Sequence, residues 1–169
     1  MAKADLTAER LRELLHYDPG TGVFTRRVNT GPTGRAGNVV GSLHSKGYLV
    51  IGLCGFHYRA HRLAWLYVYG SWPDDQIDHI NLDKADNRIC NLRQANNSEN
   101  LENRGIQKNN KSGFIGVCFA KRENKWLATI TKNKVKYKLG FFDTAEEAGA
   151  KYLEAKKEIH KFNPFVRNM

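Results

Sequence analysis

Asp78 and His79 are adjacent in Gln76-Ile77-Asp78-His79-Ile80, and a run of amide side chains follows: Asn87, Asn91, Asn96, Asn97, Asn100 and Asn103. A carboxylate beside an imidazole can hold a divalent cation and take a proton from water, the two tasks of metal-assisted phosphodiester hydrolysis. A hard cation such as Mg²⁺ (or Mn²⁺) prefers oxygen ligands and keeps several waters, so one carboxylate and one amide oxygen are enough protein ligation. Asp78 supplies the carboxylate and Asn100 can supply the amide. His79, with an ordinary pKa of about 6.5, is available as general base near neutral pH. Arg88 or Arg93 would neutralise the phosphate. Taken alone, an Asp-His pair among loop-forming Asn and Asp residues reads as structural. The case for chemistry rests on the wider pattern.

The formal net charge of +10, from 27 basic and 17 acidic residues, points to a polyanionic partner, with nucleic acid first. The charge is uneven: residues 108–169 hold 14 Lys and Arg against 6 acids, and the remainder is near balance. Gripping and chemistry are therefore expected to lie in different parts of the chain. Cys54, Cys90 and Cys118 are scattered and odd in number, so no structural zinc or disulfide framework is expected. Met1–Asp5 lacks a secretory apolar core, and no apolar run is long enough to span a bilayer. These features predict a soluble protein of the reducing cytoplasm, with no membrane partner.

Leu6–Leu15 reads as a short amphipathic helix with Thr7 as N-cap and a Leu6–Leu11 staple. Asp18-Pro19-Gly20-Thr21-Gly22 is a turn, Val23–Thr25 begins a strand, and a Gly-rich basic loop follows. Tyr48–Leu53 and Phe56–Arg59 predict a hairpin around Cys54-Gly55. Ala60–Tyr69 predicts a buried helix stopped by Gly70 and Pro73. Gln76–Ile80 is extended, residues 81–88 form a polar loop, and Ile89–Leu92 returns to the core. A helix is predicted around residues 97–104, capped by Asn97 or Ser98. On it Asn96/Asn100 and Asn100/Asn103 are neighbours. Gly105–Gly113 reads as a linker. Beyond it, strands over 115–120, 125–132 and 134–142, with a turn at Asn133, precede a helix opened by the capping box Thr144–Glu147. Ala145, Ala148, Tyr152, Ala155 and Ile159 form its apolar stripe. Lys132, Lys134, Lys136 and Lys138 are expected on one cationic face of the sheet, with Val135, Tyr137 and Leu139 on the other. Trp126 is expected in the core.

The series Asp78-His79-Ile80-Asn81-Leu82-Asp83, Asp86-Asn87-Arg88, Asn91-Leu92-Arg93, Glu99-Asn100 and Asn103 resembles the HNH nuclease family, in the variant whose last His is Asn. His61-Arg62-Leu63-Ala64-Trp65 is similar to the helix that precedes this motif in phage-type HNH endonucleases. The resemblance covers about residues 48–104. It implies His79 as general base on the first strand of a ββα-metal finger, with Asp78 and Asn100 as metal ligands. It also implies Asn91 as the residue that braces the loop and orients His79, and Asn87 as a shaper of the loop. His61 reads as a helix residue that packs or contacts backbone.

Ser112–Val117, Lys125–Ile130, Leu139–Ala148 and Tyr152 resemble the ethylene-response-factor (Apetala-two) DNA-binding domain over about residues 112–160. That family reads bases from arginines on its first two strands. Here those places hold Ile115, Cys118, Thr129 and Thr131, and Lys138 stands where Trp is usual, so no target sequence carries over. Lys121 and Arg122 in the first turn are the leading DNA contacts, with Lys132, Lys134, Lys136 and Lys138 as phosphate contacts.

The expected architecture is therefore α+β: a region 1–47, an HNH (His-Me finger) nuclease domain 48–104, a linker 105–113, and a three-stranded antiparallel sheet packed on one helix at 114–169. The expected function is a divalent-metal-dependent DNA endonuclease, nicking or homing-type, that leaves 5′-phosphate and 3′-hydroxyl ends. Double-stranded DNA is the partner, no small-molecule cofactor is needed, and a monomer that nicks one strand per event is favoured. The rival from another class is a non-catalytic DNA-binding regulator on an inert nuclease scaffold. A basic RNA-binding accessory protein ranks last, because the exposed aromatic pattern of single-strand RNA modules is missing.

Overall fold

The structure, a computed structural model, describes residues 6–31, 34–103, 105–107 and 109–160. Expectations that fall on Met1–Asp5, Arg104, Lys108, Lys161 and Arg167 lie outside the described residues. The chain divides into two compact units, Met1–Ala95 and Asn96–Met169. Several small antiparallel sheets and four α-helices build them among the described residues.

The first unit opens with helix α1 (Ala8–Leu14), capped by Thr7, whose hydroxyl accepts from the Arg10 amide at 3.2 Å. The predicted helix stops one residue early. Leu15 turns extended and begins β1 (Leu15–Asp18), which pairs with β2 (Val23–Arg26) across the Asp18–Gly22 turn. The apolar pattern places Leu15 at the helix end, because Leu14 and Leu15 fit either period. Two short strands lie in the Gly-rich stretch, β3 (Val39–Val40) on β2 and β4 (Ser42–Leu43) on β5. The hairpin β5 (Leu49–Leu53) and β6 (Phe56–Arg59) turns at Cys54 and Gly55, both at positive φ (52° and 79°), as a two-residue hairpin turn requires. Helix α2 (Ala60–Tyr69) follows directly and ends on left-handed Gly70.

Strand β7 (Gln76–His79) pairs with β8 (Leu92–Ala95). The sequence marks only a return to the core at Ile89–Leu92, and the strand runs on from there to Ala95. Leu11, Leu15, Phe24, Ile51, Leu63, Leu66, Ile77 and Leu92 share one core. The N-terminal elements and the strand carrying Asp78 are therefore packed together, each buried Leu or Ile contributing about 2 kcal/mol.

The second unit starts with helix α3 (Asn97–Glu102). Its N-cap is Asn96, which closes a capping box with Glu99; Asn97 and Ser98 lie inside the helix instead. Asn96 wins because Glu99 stands three residues on and bonds back to the Asn96 amide. Strands β9 (Val117–Ala120), β10 (Lys125–Lys132) and β11 (Val135–Phe142) form the sheet β11-β10-β9. Helix α4 (Ala145–Ile159) packs on it through Ala148, Tyr152 and Ala155. Trp126 packs against the Val117–Ala128–Ala148 cluster. Gly149 is required because a Cβ there would lie 2.5 Å from the Phe114 ring.

Candidate active site

Strand β7 is short, and Ile77, Asp78 and His79 are all buried. Neighbours on a strand face opposite ways, so Asp78 and His79 present their groups to different sides. Asp78 pairs across the ladder with Arg93, and His79 with Leu92. Arg93 Nε and Nη2 both donate to Asp78 Oδ2, at 2.9 and 2.7 Å. The side chains of this ion pair are only 15 and 9 % exposed.

The His79 imidazole lies edge-on to His61, with ring centroids 5.0 Å apart and planes at 89°. Tyr48 closes the cluster, 5.4 Å from His61 and 6.0 Å from His79. Burial pushes the His79 pKa below its ordinary value, while the Asn87 amide and the carboxylates of Asp78, Asp83 and Asp86 pull it back up. His61 is driven much further, to about 3, by burial first and then by repulsion from Arg59, Arg62 and, once it is protonated, His79. At neutral pH both rings are neutral, and a neutral imidazole can accept a proton.

The loop between the two strands is held by its own side chains. Asn91 Oδ1 accepts from the Asn81 amide and Asn91 Nδ2 donates to the Asp86 carbonyl, each at 2.9 Å. One side chain thus ties both ends of the loop. Asn81 Nδ2 donates to Asp86 Oδ2, and the Ala85 amide donates to Asp83 Oδ1. Arg88 grips both oxygens of Asp86, at 2.9 and 2.6 Å. This pairing holds the Asp86 carboxyl down at about 2 and raises Arg88. Both arginines expected to meet phosphate, Arg88 and Arg93, are engaged with carboxylates of the chain itself.

Asn87 is 1 % exposed, and the N-terminal hairpin buttresses it from below. Tyr17 Oη donates to the Asn87 carbonyl at 2.7 Å, and the Ile89 amide donates to Pro19 O at 3.2 Å. A Cβ on Gly22 would sit 2.5 Å from the Arg88 nitrogen, so the turn must approach this backbone without a side chain. These contacts give residues 15–26 a function that the sequence had left open: they hold the Asn87–Arg88 segment. Burial also raises the Tyr17 pKa, which keeps its donor proton in place.

The first unit therefore gathers Asp78, His79, Asn87, Asn91 and Arg93 around β7 and its loop. Asn100 stands on α3 of the second unit, in the turn closed by its amide bond to the Asn96 carbonyl. Among the described residues no three His, Cys, Asp or Glu side chains converge as a metal cluster. The donors at β7 are a carboxylate and amides, which suits a hard, water-retaining cation better than a thiophilic one. The sequence pattern assigns neither Tyr48 nor His61 to the site. Tyr48 carries no motif of its own, and His61, on the stretch that resembles the helix before the HNH motif, reads as a packing residue; the ring contacts with His79 join both to the site.

In the second unit, Lys121 and Arg122 are exposed in the turn between β9 and β10. The four lysines do not share one face. Lys132 Nζ donates to the Ile159 carbonyl at 2.6 Å, on the helix side of the sheet. Lys134 is in the β10–β11 turn, where Asn133 and Lys134 both have positive φ (50° and 67°). Lys136 and Lys138 pair with Thr131 and Thr129 on the opposite face, and Lys138 Nζ lies 3.7 Å over the Phe141 ring. The simple alternation fails because the turn takes two residues, Asn133 and Lys134, rather than one, so that Lys132 pairs with Val135 and Lys136 with Thr131. Val135 and Tyr137, expected to pack, are half exposed.

Among the described residues no helix is long and apolar enough to cross a membrane. Comparison with known proteins adds three findings. No solved structure matches the chain. Protein 3.8 of Escherichia phage T7 is 29 % identical over 103 residues, which span 60 % of this chain and 84 % of that protein. Residues 58–102, the stretch that holds His61, Asp78, His79, Asn91 and Asn100, match the HNH endonuclease family.

Proposed function

We propose that the protein is a metal-dependent DNA endonuclease in which residues around β7 cut and the C-terminal sheet grips. The observation that carries this reading is the His79 imidazole, buried beside Asp78 and disposed to stay neutral at pH 7 within a stretch that matches HNH endonucleases. A neutral buried imidazole is a competent general base. His79 takes the proton of the attacking water, and Tyr48 and His61 hold its ring in place. Asn91 and Asn87 fix the loop. Asp78 and Asn100 are the residues that would hold a bound Mg²⁺ or Mn²⁺, which supplies polarisation of the scissile phosphate and charge for the leaving 3′ oxygen. The role of Asn100 comes from the sequence resemblance alone. On the same resemblance the products carry 5′-phosphate and 3′-hydroxyl ends.

The gripping part is read as similar to ethylene-response-factor domains. A three-stranded sheet on one helix, with Lys121, Arg122, Lys136 and Lys138 exposed, supports phosphate contact at the surface of a duplex.

One observation favours a second reading. Arg93 places two hydrogen bonds on Asp78 Oδ2 and so supplies there the positive charge that a cation would bring. The protein would then be a DNA-binding regulator on a nuclease scaffold. A supercoiled-plasmid nicking assay with Mg²⁺ or Mn²⁺, with and without EDTA, separates the two. Nicking that EDTA stops and His79→Ala abolishes, with DNA binding retained, supports the enzyme. Equal nicking by wild type and His79→Ala, or none by either, rejects His79 as the base.

A further inference from the structure

A groove of about 580 Å³ opens on the first unit, and its lining carries no acid: His44, His57, Arg59 and Arg62 are its charged or titratable groups, set against Tyr58 and Trp72. We propose that this groove seats the sugar-phosphate backbone of duplex DNA beside His79. The proposal rests on the nuclease reading for what lies next to the groove.

Three observations carry it. First, neither Arg59 nor Arg62 forms an ion pair among the described residues, unlike Arg10, Arg88 and Arg93. Arg59 Nη1 is buried and has no hydrogen-bond partner among the described residues. The guanidinium is fixed over Tyr48, and its groove-lining edge, with no carboxylate beside it, is available to a phosphate oxygen.

Second, the groove is already shaped. Trp72 stacks on Tyr58 with planes 16° apart, and its indole N–H donates to the Leu6 carbonyl at 3.2 Å. Arg62 reaches the Pro73 and Asp75 carbonyls at 3.4 Å and lies 5.8 Å from the Trp72 ring centre. One face of the indole is taken by Tyr58, so the aromatic wall acts as a spacer for the cations more than as a platform for a base.

Third, the groove is one residue from the imidazole. Arg59 lies 4.5 Å over the Tyr48 ring, and Tyr48 touches the His61–His79 pair. A backbone contacted by Arg59 is thereby kept next to the proposed base. Helix α2 begins at this point with no acidic residue in its first turn, which adds to the attraction for an anion.

The test is binding of a fluorescein-labelled duplex by the full chain in EDTA, followed by anisotropy over a range of salt. Each phosphate contact contributes about 0.9 to the slope of log K against log salt, so Arg59→Gln/Arg62→Gln should lower the slope by about 1.8. Lysines at both positions should restore most of it. Arg62 also braces the Pro73–Asp75 backbone, so His57→Glu serves as a second variant: His57 is exposed, and an acid there should weaken binding at low salt about tenfold. A glutamine double variant with the wild-type slope, or His57→Glu with wild-type affinity, overturns the groove. Because EDTA prevents cutting, the two readings fail separately. Groove-dependent binding without any nicking sinks the nuclease, whereas nicking with an unchanged slope sinks the groove.

Discussion

Arg93 stands directly across the β7–β8 ladder from Asp78 and places two donors on one carboxylate oxygen, Oδ2. The carboxylate that the sequence marks as a metal ligand is therefore held in the fold by a cation of the chain itself. In a nearly buried pair the attraction has to offset the desolvation of two charges, and removing either partner leaves the other exposed to that cost.

Arg93→Gln should therefore destabilise the protein by about 3 kcal/mol, as breaking a buried pair does. Added Mn²⁺ should recover part of that loss, because a bound cation takes over the charge that Arg93 supplied. Thermal denaturation with and without millimolar Mn²⁺ checks both. A variant whose melting point ignores Mn²⁺ would argue that Asp78 holds no ion.

His61 makes stability sensitive to acid. Its pKa is about 3 in the fold against an ordinary 6.5, so the folded protein keeps the ring neutral where the unfolded chain takes up a proton. Stability is full above about pH 6.5 and is lost as pH falls toward 3, at up to about 1.4 kcal/mol per pH unit. His79, also lowered by burial, pushes in the same direction. Denaturant midpoints between pH 7 and pH 4 should fall steeply in the wild type and less in His61→Phe. Parallel curves would show that the ring is not as dry as its burial implies.

Asn91→Ala removes both bonds that close the 80–91 loop, a loss of about 2 kcal/mol. Hydrogen exchange should quicken at Asn81 and its neighbours while helix α1 stays protected. Tyr17→Phe, which deletes the bond to the Asn87 carbonyl, should cost about 1 kcal/mol and loosen the same segment. If Tyr17→Phe left exchange at Asn87 and Arg88 unchanged, the N-terminal hairpin would not be their buttress.

Local signals were legible where one residue type sets the geometry. Thr7, Gly70, Cys54-Gly55 and the Thr144–Glu147 box each mark a cap or turn, and the elements they bound are where the periods place them. Non-local facts were not. Strand β8 has the ambiguous pattern Leu-Arg-Gln-Ala, and only its pairing with β7 makes it a strand. The Arg93–Asp78 contact depends on that register. The His61–His79 contact joins residues 18 positions apart through a helix packed under a strand, which neither segment encodes by itself. The two-residue turn at Asn133-Lys134 likewise has little mark in the sequence beyond Asn133, and it moved Lys132 off the face of Lys136 and Lys138.

That displacement separates the lysines by function. Lys132 Nζ caps the C-terminal end of α4 through the Ile159 carbonyl, at the negative end of the helix dipole. Lys132→Ala should lower the melting point by an amount worth about 1 kcal/mol, through the lost bond and fraying of the last turn. Lys136 and Lys138 face away from α4 and make no ion pair among the described residues. Lys136→Ala and Lys138→Ala should leave stability within about 0.5 kcal/mol. Each should lower the salt slope of duplex binding by about 0.9 if it meets a phosphate. Lys132→Ala should keep that slope so long as the assay stays below its melting transition. The reverse outcome, a slope change confined to Lys132→Ala, would mean that DNA approaches the helix side of the sheet.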